Sequence, residues 1–186
     1  MLAASVGPGL AAFGALVSAQ SVAHPNTLAI VPEDVNNLAF QFSLNVPQVL
    51  HQLLSPSMPF PAFLQSYAHM PPAAWAAALQ KAKAKLASSG VLTLPGGRPM
   101  RLQSWQWPDP DAMAQSLKAQ ELILQMAEQT RPHLDPVRVL ARLQTPGPIQ
   151  QAQLQLPAAL YPIEVTINND TFWLTSQIPL ARVNLQ

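Results

Sequence analysis

No cysteine occurs in this chain, and its absence excludes disulfides, thiolate metal sites and thiol catalysis at once. Stability has to come from packing. Charge is scarce as well: 10% of the 186 residues are ionisable Asp, Glu, Lys or Arg, ten basic against nine acidic, where soluble domains usually reach roughly 25%. Proteins that track phosphates gather Lys and Arg into patches. Here the cations are few and dispersed, and none precedes Lys81, so nucleic acid is not expected as a partner. Several enzyme motifs are missing too. There is no Gly-x-Ser-x-Gly, no His-Glu-x-x-His, no phosphate-cradling Gly-rich loop and no dinucleotide fingerprint. Hydrolysis would want a base-activated nucleophile or two facing carboxylates. The close acidic pair Asp109 and Asp111 is accounted for by helix capping.

What is present is apolar and segmented. Hydrophobic residues make up 49% of the chain, enough for one core of ordinary size. Proline, at 20 residues, is about twice its usual ~5% share, and it stands beside apolar runs, which implies short elements with sharp ends. Solubility rests on uncharged polar groups such as Gln150, Gln151, Gln153 and Gln155.

Leu2 to Val22 carries no charge, has an apolar centre from Leu10 to Val17, and leads into Ser21-Val22-Ala23 just before His24. That is the pattern of a signal peptide with a small-residue processing site, although the usual basic front is lacking. Residues 1–23 are therefore expected to be a leader and 24–186 a single periplasmic or secreted domain, with no membrane span once the leader is removed. The alternative is an uncleaved anchor, interrupted by Gly7-Pro8-Gly9.

In the remainder, Thr27 to Val31 and Leu38 to Val46 read as strands; in the second, Leu38, Phe40, Phe42, Leu44 and Val46 alternate with polar or small residues. Short helices follow Pro47 and span Pro61 to Ala68. A longer one starts at Pro71-Pro72, with Trp75, Leu79, Ala82 and Leu86 at helical spacing and Lys81 and Lys85 facing water, and stops at Ser88-Ser89-Gly90. Val91 to Leu94, the turn Pro95 to Arg98 and Met100 to Trp107 form a hairpin. Asp109-Pro110-Asp111 opens a helix to about Thr130, with Met113, Leu117, Leu124 and Ala127 buried. Strands are then expected at Val137 to Leu143, Gln151 to Leu156, Ile163 to Ile167 and Thr171 to Ile178. The order predicts an α+β fold: a β-sandwich-like antiparallel sheet domain with a central helical insertion. Residues 24–47 and 137–186 are β-rich, and 48–136 are mainly helical with one hairpin.

Cleavage after Ala23 would make His24 the amino terminus, where its α-amine and imidazole could chelate Cu(II). His51, His69 or His133 could supply a second ligand, and no other cofactor is expected. The plainer account is that Ala-His-Pro is an accident of processing. His133 and Asp135, between Pro132 and Pro136, could pair as base and orienter or form a solvated turn. Trp105 and Trp107 share a strand face, with Gln103 beside them, and could stack a sugar or clamp a peptide. Packing against the helix of Trp75 is the alternative. Phe60, Phe63, Tyr67 and Trp75, on proline-punctuated helices, are the expected protein-contact lobe.

The stretch Ala23-His24-Pro25-Asn26-Thr27-Leu28-Ala29-Ile30, with the strand ending Val46-Pro47-Gln48-Val49-Leu50, resembles the extracytoplasmic start of bacterial membrane proteins of the HupE/UreJ type. The resemblance covers residues 23–50. Those proteins continue into a multi-helix permease-like region linked to nickel or cobalt handling, and this sequence has no further apolar run of spanning length. The resemblance implies only a periplasmic sheet domain that assists a membrane partner. Together these observations lead to an exported, non-enzymatic accessory or binding module contacting a protein or envelope component. A copper-binding protein using His24 and an uncharacterised hydrolase are the alternatives.

Overall fold

The computed structural model describes residues 25–97, 99–126 and 134–185. The chain enters as β1 (Asn26–Asp34) and returns as β2 (Asn37–Leu44). In the turn between them the Asp34 carboxylate accepts from the Asn36 amide at 2.7 Å and from Asn37 Nδ2 at 2.8 Å. Three helices follow: α1 (Val46–Leu54), α2 (Phe60–Ala68) and α3 (Pro72–Ser89). Next come the hairpin β3 (Val91–Thr93) and β4 (Pro99–Arg101), then β5 (Gln103–Gln106) and α4 (Pro110–Gln125). The last third is β6 (Val137–Gln144), β7 (Gln151–Gln155), β8 (Ile163–Ile167), β9 (Asp170–Leu174) and β10 (Leu180–Asn184). A 3₁₀ turn at Ala158–Leu160 precedes β8.

These strands form two sheets, ordered β5-β6-β2-β1-β8-β9 and β10-β7-β3-β4. Every neighbouring pair is antiparallel except β1 with β8. The fold is α+β. In β2 the expected alternation holds: Leu38, Phe40, Phe42 and Leu44 are buried while Gln41 is exposed. With Leu28 and Ile30 of β1 and Val165 and Ile167 of β8, these residues join a single core. That core takes in the helices through Leu50, Phe63, Trp75, Leu86 and Leu117, and the second sheet through Leu92 and Leu154. Among the described residues no helix is long and apolar enough to cross a membrane.

Several boundaries differ from expectation for identifiable reasons. β2 stops at Leu44, because the Asn45 side chain accepts from the Gln48 amide and caps α1, so Val46 is helical. Met100 to Trp107 is not one strand: β4 belongs to the four-stranded sheet and β5 to the six-stranded one, and Leu102 between them is 3% exposed. The helical middle of the chain thus also supplies three strands, β3 and β4 to the four-stranded sheet and β5 to the six-stranded one. The strand expected at Thr171 to Ile178 ends at Leu174, because Thr175 and Ile178 bond each other's backbone and Thr175 Oγ1 accepts from the amides of Gln177 and Ile178. In α4, Ile123 rather than Leu124 is buried. Ala127 to Thr130 lies outside the described residues.

Two glycines act as the sequence suggests, by different routes. Gly96 takes the positive φ of +67° in the β3–β4 turn. Gly90, after α3, keeps an extended backbone; what it supplies is space, since a Cβ there would stand 3.2 Å from Leu102 Cδ1. Lys85, expected to face water alone, donates to the Leu53 carbonyl at 2.6 Å and so caps the negative end of α1.

One buried amide joins the sheet to the helices. Asn26, 8% exposed, donates from Nδ2 to the Leu160 carbonyl at 2.9 Å and accepts from the Asn45 amide at 2.8 Å. It thereby fixes the first residue of β1 to the cap of α1 and to the 3₁₀ turn. A second tie is Tyr161, whose hydroxyl lies 2.8 Å from the Leu156 carbonyl and 2.9 Å from that of Pro179.

Replacing Asn26 by Leu strands a carbonyl and an amide together, and a loss of about 2–4 kcal/mol is expected in denaturant unfolding. A loss below about 0.5 kcal/mol would show that water serves both groups. Burial raises the Tyr161 pKa above the ordinary phenol value. A raised pKa in the folded state means stability that is complete below the unfolded phenol pKa of about 10 and falls as pH climbs past it. Urea midpoints measured from pH 8 to 11 should therefore decline at the alkaline end, and less so in Tyr161→Phe.

Candidate binding face

Strand alternation that buries one face of the six-stranded sheet leaves the other open, and the registers align its residues into rows. One row runs Arg138, Ser43, Thr27, Glu164 and Trp173 across β6, β2, β1, β8 and β9. The next runs Gln106, Leu140, Gln41, Ala29, Thr166 and Thr171, with the two threonine hydroxyls 3.3 Å apart. Arg142, one row further, pairs with Glu33 at 3.0 Å. Thr27, Ala29, Gln41, Ser43 and Leu140, bordered by Trp107, enclose a trough of about 820 Å³. Arg138 is the charged residue of its lining. Carbons can rest on Ala29 and Leu140 while hydroxyls and amides serve the polar groups of a ligand.

β5 forms the wall of this face through a bulge. Gln103 pairs with Arg142 and Gln106 with Leu140, so β5 carries one residue more than β6 over the same span, and Ser104 takes a φ of +50°. The bulge has a consequence for the two indoles. Gln103 shares the outer face with Gln106, whereas Trp105 stacks on buried Phe42 with centroids 5.6 Å apart. Trp107 stacks on Trp105 at the same separation, and the Lys83 ammonium of α3 lies 5.7 Å from the Trp107 ring centre. The expected pairing of the indoles with each other is present. The expected Gln103 beside them is not, because the extra residue moves it across the sheet. Trp105 and Trp107 stack toward the core strand β2, with Trp75 engaged elsewhere: its indole donates to the Pro110 carbonyl at 3.0 Å.

The residues proposed as a protein-contact lobe prove to be mostly interior. Phe63 and Trp75 are 0% and 4% exposed, so no ring face is left for a partner. Phe60 and Tyr67 are half-buried and stack on Phe63, at 6.4 and 4.4 Å. His51 completes the cluster, edge-on to Phe60, with its Nε2 donating to the Met58 carbonyl at 2.6 Å. It is a packing histidine. His69 is exposed and lies 2.8 Å from Glu121 of α4. His24 and His133 lie outside the described residues. Asp135 borders a small crevice with Asn45, Pro47 and Ser116. Among the described residues, no three His, Cys, Asp or Glu side chains come together as a metal site.

Against family models, curated proteins and solved structures, the chain finds no match. The site therefore has to be read from its own chemistry.

Ser104 supplies a test of the bulge. A side chain at positive φ is disfavoured where glycine is not, so Ser104→Gly should raise stability by about 0.5–1 kcal/mol. Ser104→Val should lower it and weaken the Trp105 fluorescence signature of the stack.

Proposed function

We propose that this chain is an exported binding module, accessory to a protein or other component of the cell envelope, and that the open face of the six-stranded sheet is its recognition surface. The trough at Thr27, Gln41, Ser43 and Leu140 carries the reading: a concave face of about 820 Å³ on a rigid sheet, lined by amides, hydroxyls, apolar carbons and one guanidinium. Such groups recognise a ligand without moving protons at neutral pH. Export is supported by the uncharged stretch Leu2 to Val22 with its small-residue site at Ala23. The central strand β1 begins at Asn26, close behind that site, so processing there would leave the strand intact. The likeness of residues 23–50 to the HupE/UreJ type favours a membrane protein as the partner.

Two measurements test this. Mass spectrometry of the protein isolated from the envelope should find His24 as its first residue; a terminus retaining Leu2 to Ala23 in a cytosolic fraction would overturn export. A photo-cross-linker at Gln41 should then capture one envelope component, whereas the same probe at Lys118 on α4 should not. Leu140→Asp should weaken that capture at least about tenfold, as expected when a charge is forced against an apolar contact, with the thermal midpoint unchanged. Equal labelling from Gln41 and Lys118 would mean the trough is not the contact.

A further inference from the structure

The four-stranded sheet has an outer face of quite different character. Its registers align Arg182, Gln153, Thr93 and Pro99 in one row and Leu180, Gln155, Val91 and Arg101 in the next, with Asn184 opposite Gln151 beyond them. In β7 the three glutamines are exposed and Ala152 and Leu154 are buried, so the amides stand on the solvent side in a ladder. The residues of β3, β4, β7 and β10 include no carboxylate. Arg101 and Arg182 are exposed, and among the described residues neither makes an ion pair. A cleft of about 340 Å³ at Pro95, Gln151, Gln153 and Arg182 opens on this face. It shares Pro95 and Gln151 with a second cleft of about 470 Å³ walled by Pro146 and Pro148. In a chain with so few charges, two guanidiniums on one amide-rich face, unpaired among the described residues, constitute a local positive field that no carboxylate of these four strands offsets.

We propose that this face binds an acidic polysaccharide, independently of the trough on the other sheet. Charge complementarity selects an anion, and the planar guanidinium fork suits a carboxylate or sulfate. The glutamine ladder then selects what carries the anion: each amide offers an acceptor and two donors, the pattern that sugar hydroxyls answer along a chain. Arg101 and Arg182 stand on opposite edge strands, three strand spacings of about 4.8 Å apart, so a polymer engages both where a single anion engages one. An acidic peptide would satisfy the arginines but leave most of the amide ladder facing a backbone with fewer hydroxyl-like partners.

The test is calorimetric titration of the purified protein with oligogalacturonate, with its methyl ester and with polyglutamate of matched charge, at low and at physiological salt. Binding of oligogalacturonate, weakened at higher salt, is expected. Arg182→Gln should reduce the affinity by about tenfold or more, the loss of one charge-assisted hydrogen-bonding group, and the methyl ester, which removes the carboxylate charge from both arginines' partners, should reduce it further. Arg101→Gln should reduce it less. Arg138→Gln, which removes the same charge from the six-stranded sheet, should leave it unchanged. These are exposed side chains, and circular dichroism of the variants should match the parent. Absence of oligogalacturonate binding, equal binding of the ester, or an equal effect of Arg138→Gln would overturn the proposal. Tighter binding of polyglutamate would assign the face to an acidic peptide instead.

Discussion

A protein with no disulfide and little charge depends on how completely it closes its interior, and here closure turns on a polar group. Asn26 begins the strand at the middle of the larger sheet, and its side chain reaches two other parts of the chain, the cap of α1 and the 3₁₀ turn before β8. Without it the Asn45 amide, just past the end of β2, and the Leu160 carbonyl of the turn would each be left unpaired, at about 1–3 kcal/mol apiece. Because both hydrogen bonds need the amide in one position, the contact also fixes register: Leu28 and Ile30 then face Phe40 and Phe42 and not the solvent. The apolar residues supply most of the stabilisation, and the amide determines which way they point.

The same economy appears in the helices. α1 touches α2, α3 and α4, and its last turn is capped both by its own Ser55 amide, which donates to the His51 carbonyl, and by Lys85 from α3. α4 begins with Asp109 and Pro110, a local signal, but is held to α3 by the Trp75 indole. The aromatic cluster around Phe63 is therefore structural. It joins α1 and α2 through His51, Phe60 and Tyr67, with the Tyr67 hydroxyl 3.1 Å from Ser55. Stacked pairs of this kind contribute about 0.5–1.5 kcal/mol beyond their burial, a useful increment where ion pairs are few.

How much of this could be read from sequence depended on how local the cause was. The buried stripe of α3 at Trp75, Leu79, Ala82 and Leu86, the alternation in β2 and the proline-led helix starts were legible, because each follows from a period or from a fixed φ within a few residues. The break at Leu102 was not. Met100, Leu102 and the residues around them alternate well enough for one strand, and only the competing sheets, assembled from β6 and β7 far along the chain, pull the two halves apart. Gln103 was assigned to the wrong face for a related reason, since a bulge at Ser104 leaves no mark in a serine. The candidate face was half visible. Gln41 and Ser43 are the complement of the buried set in β2, but their alignment with Arg138, Leu140, Thr27 and Ala29 is a matter of register between strands roughly a hundred residues apart. Phe63 and Trp75 misled because low charge marks an interior as readily as an interface.

The passage from β4 to β5 bears on how the molecule can move. Arg101 is hydrogen-bonded into one sheet and Gln103 into the other, with a single interior leucine as the bridge. A chain of one residue has two soft torsions and no spare length, so the layers it links cannot slide past each other without tearing a ladder on one side. Two stacked sheets tethered by long loops would be free to shear; these are stitched at that edge and should respond to a bound molecule on either side as one stiff plate.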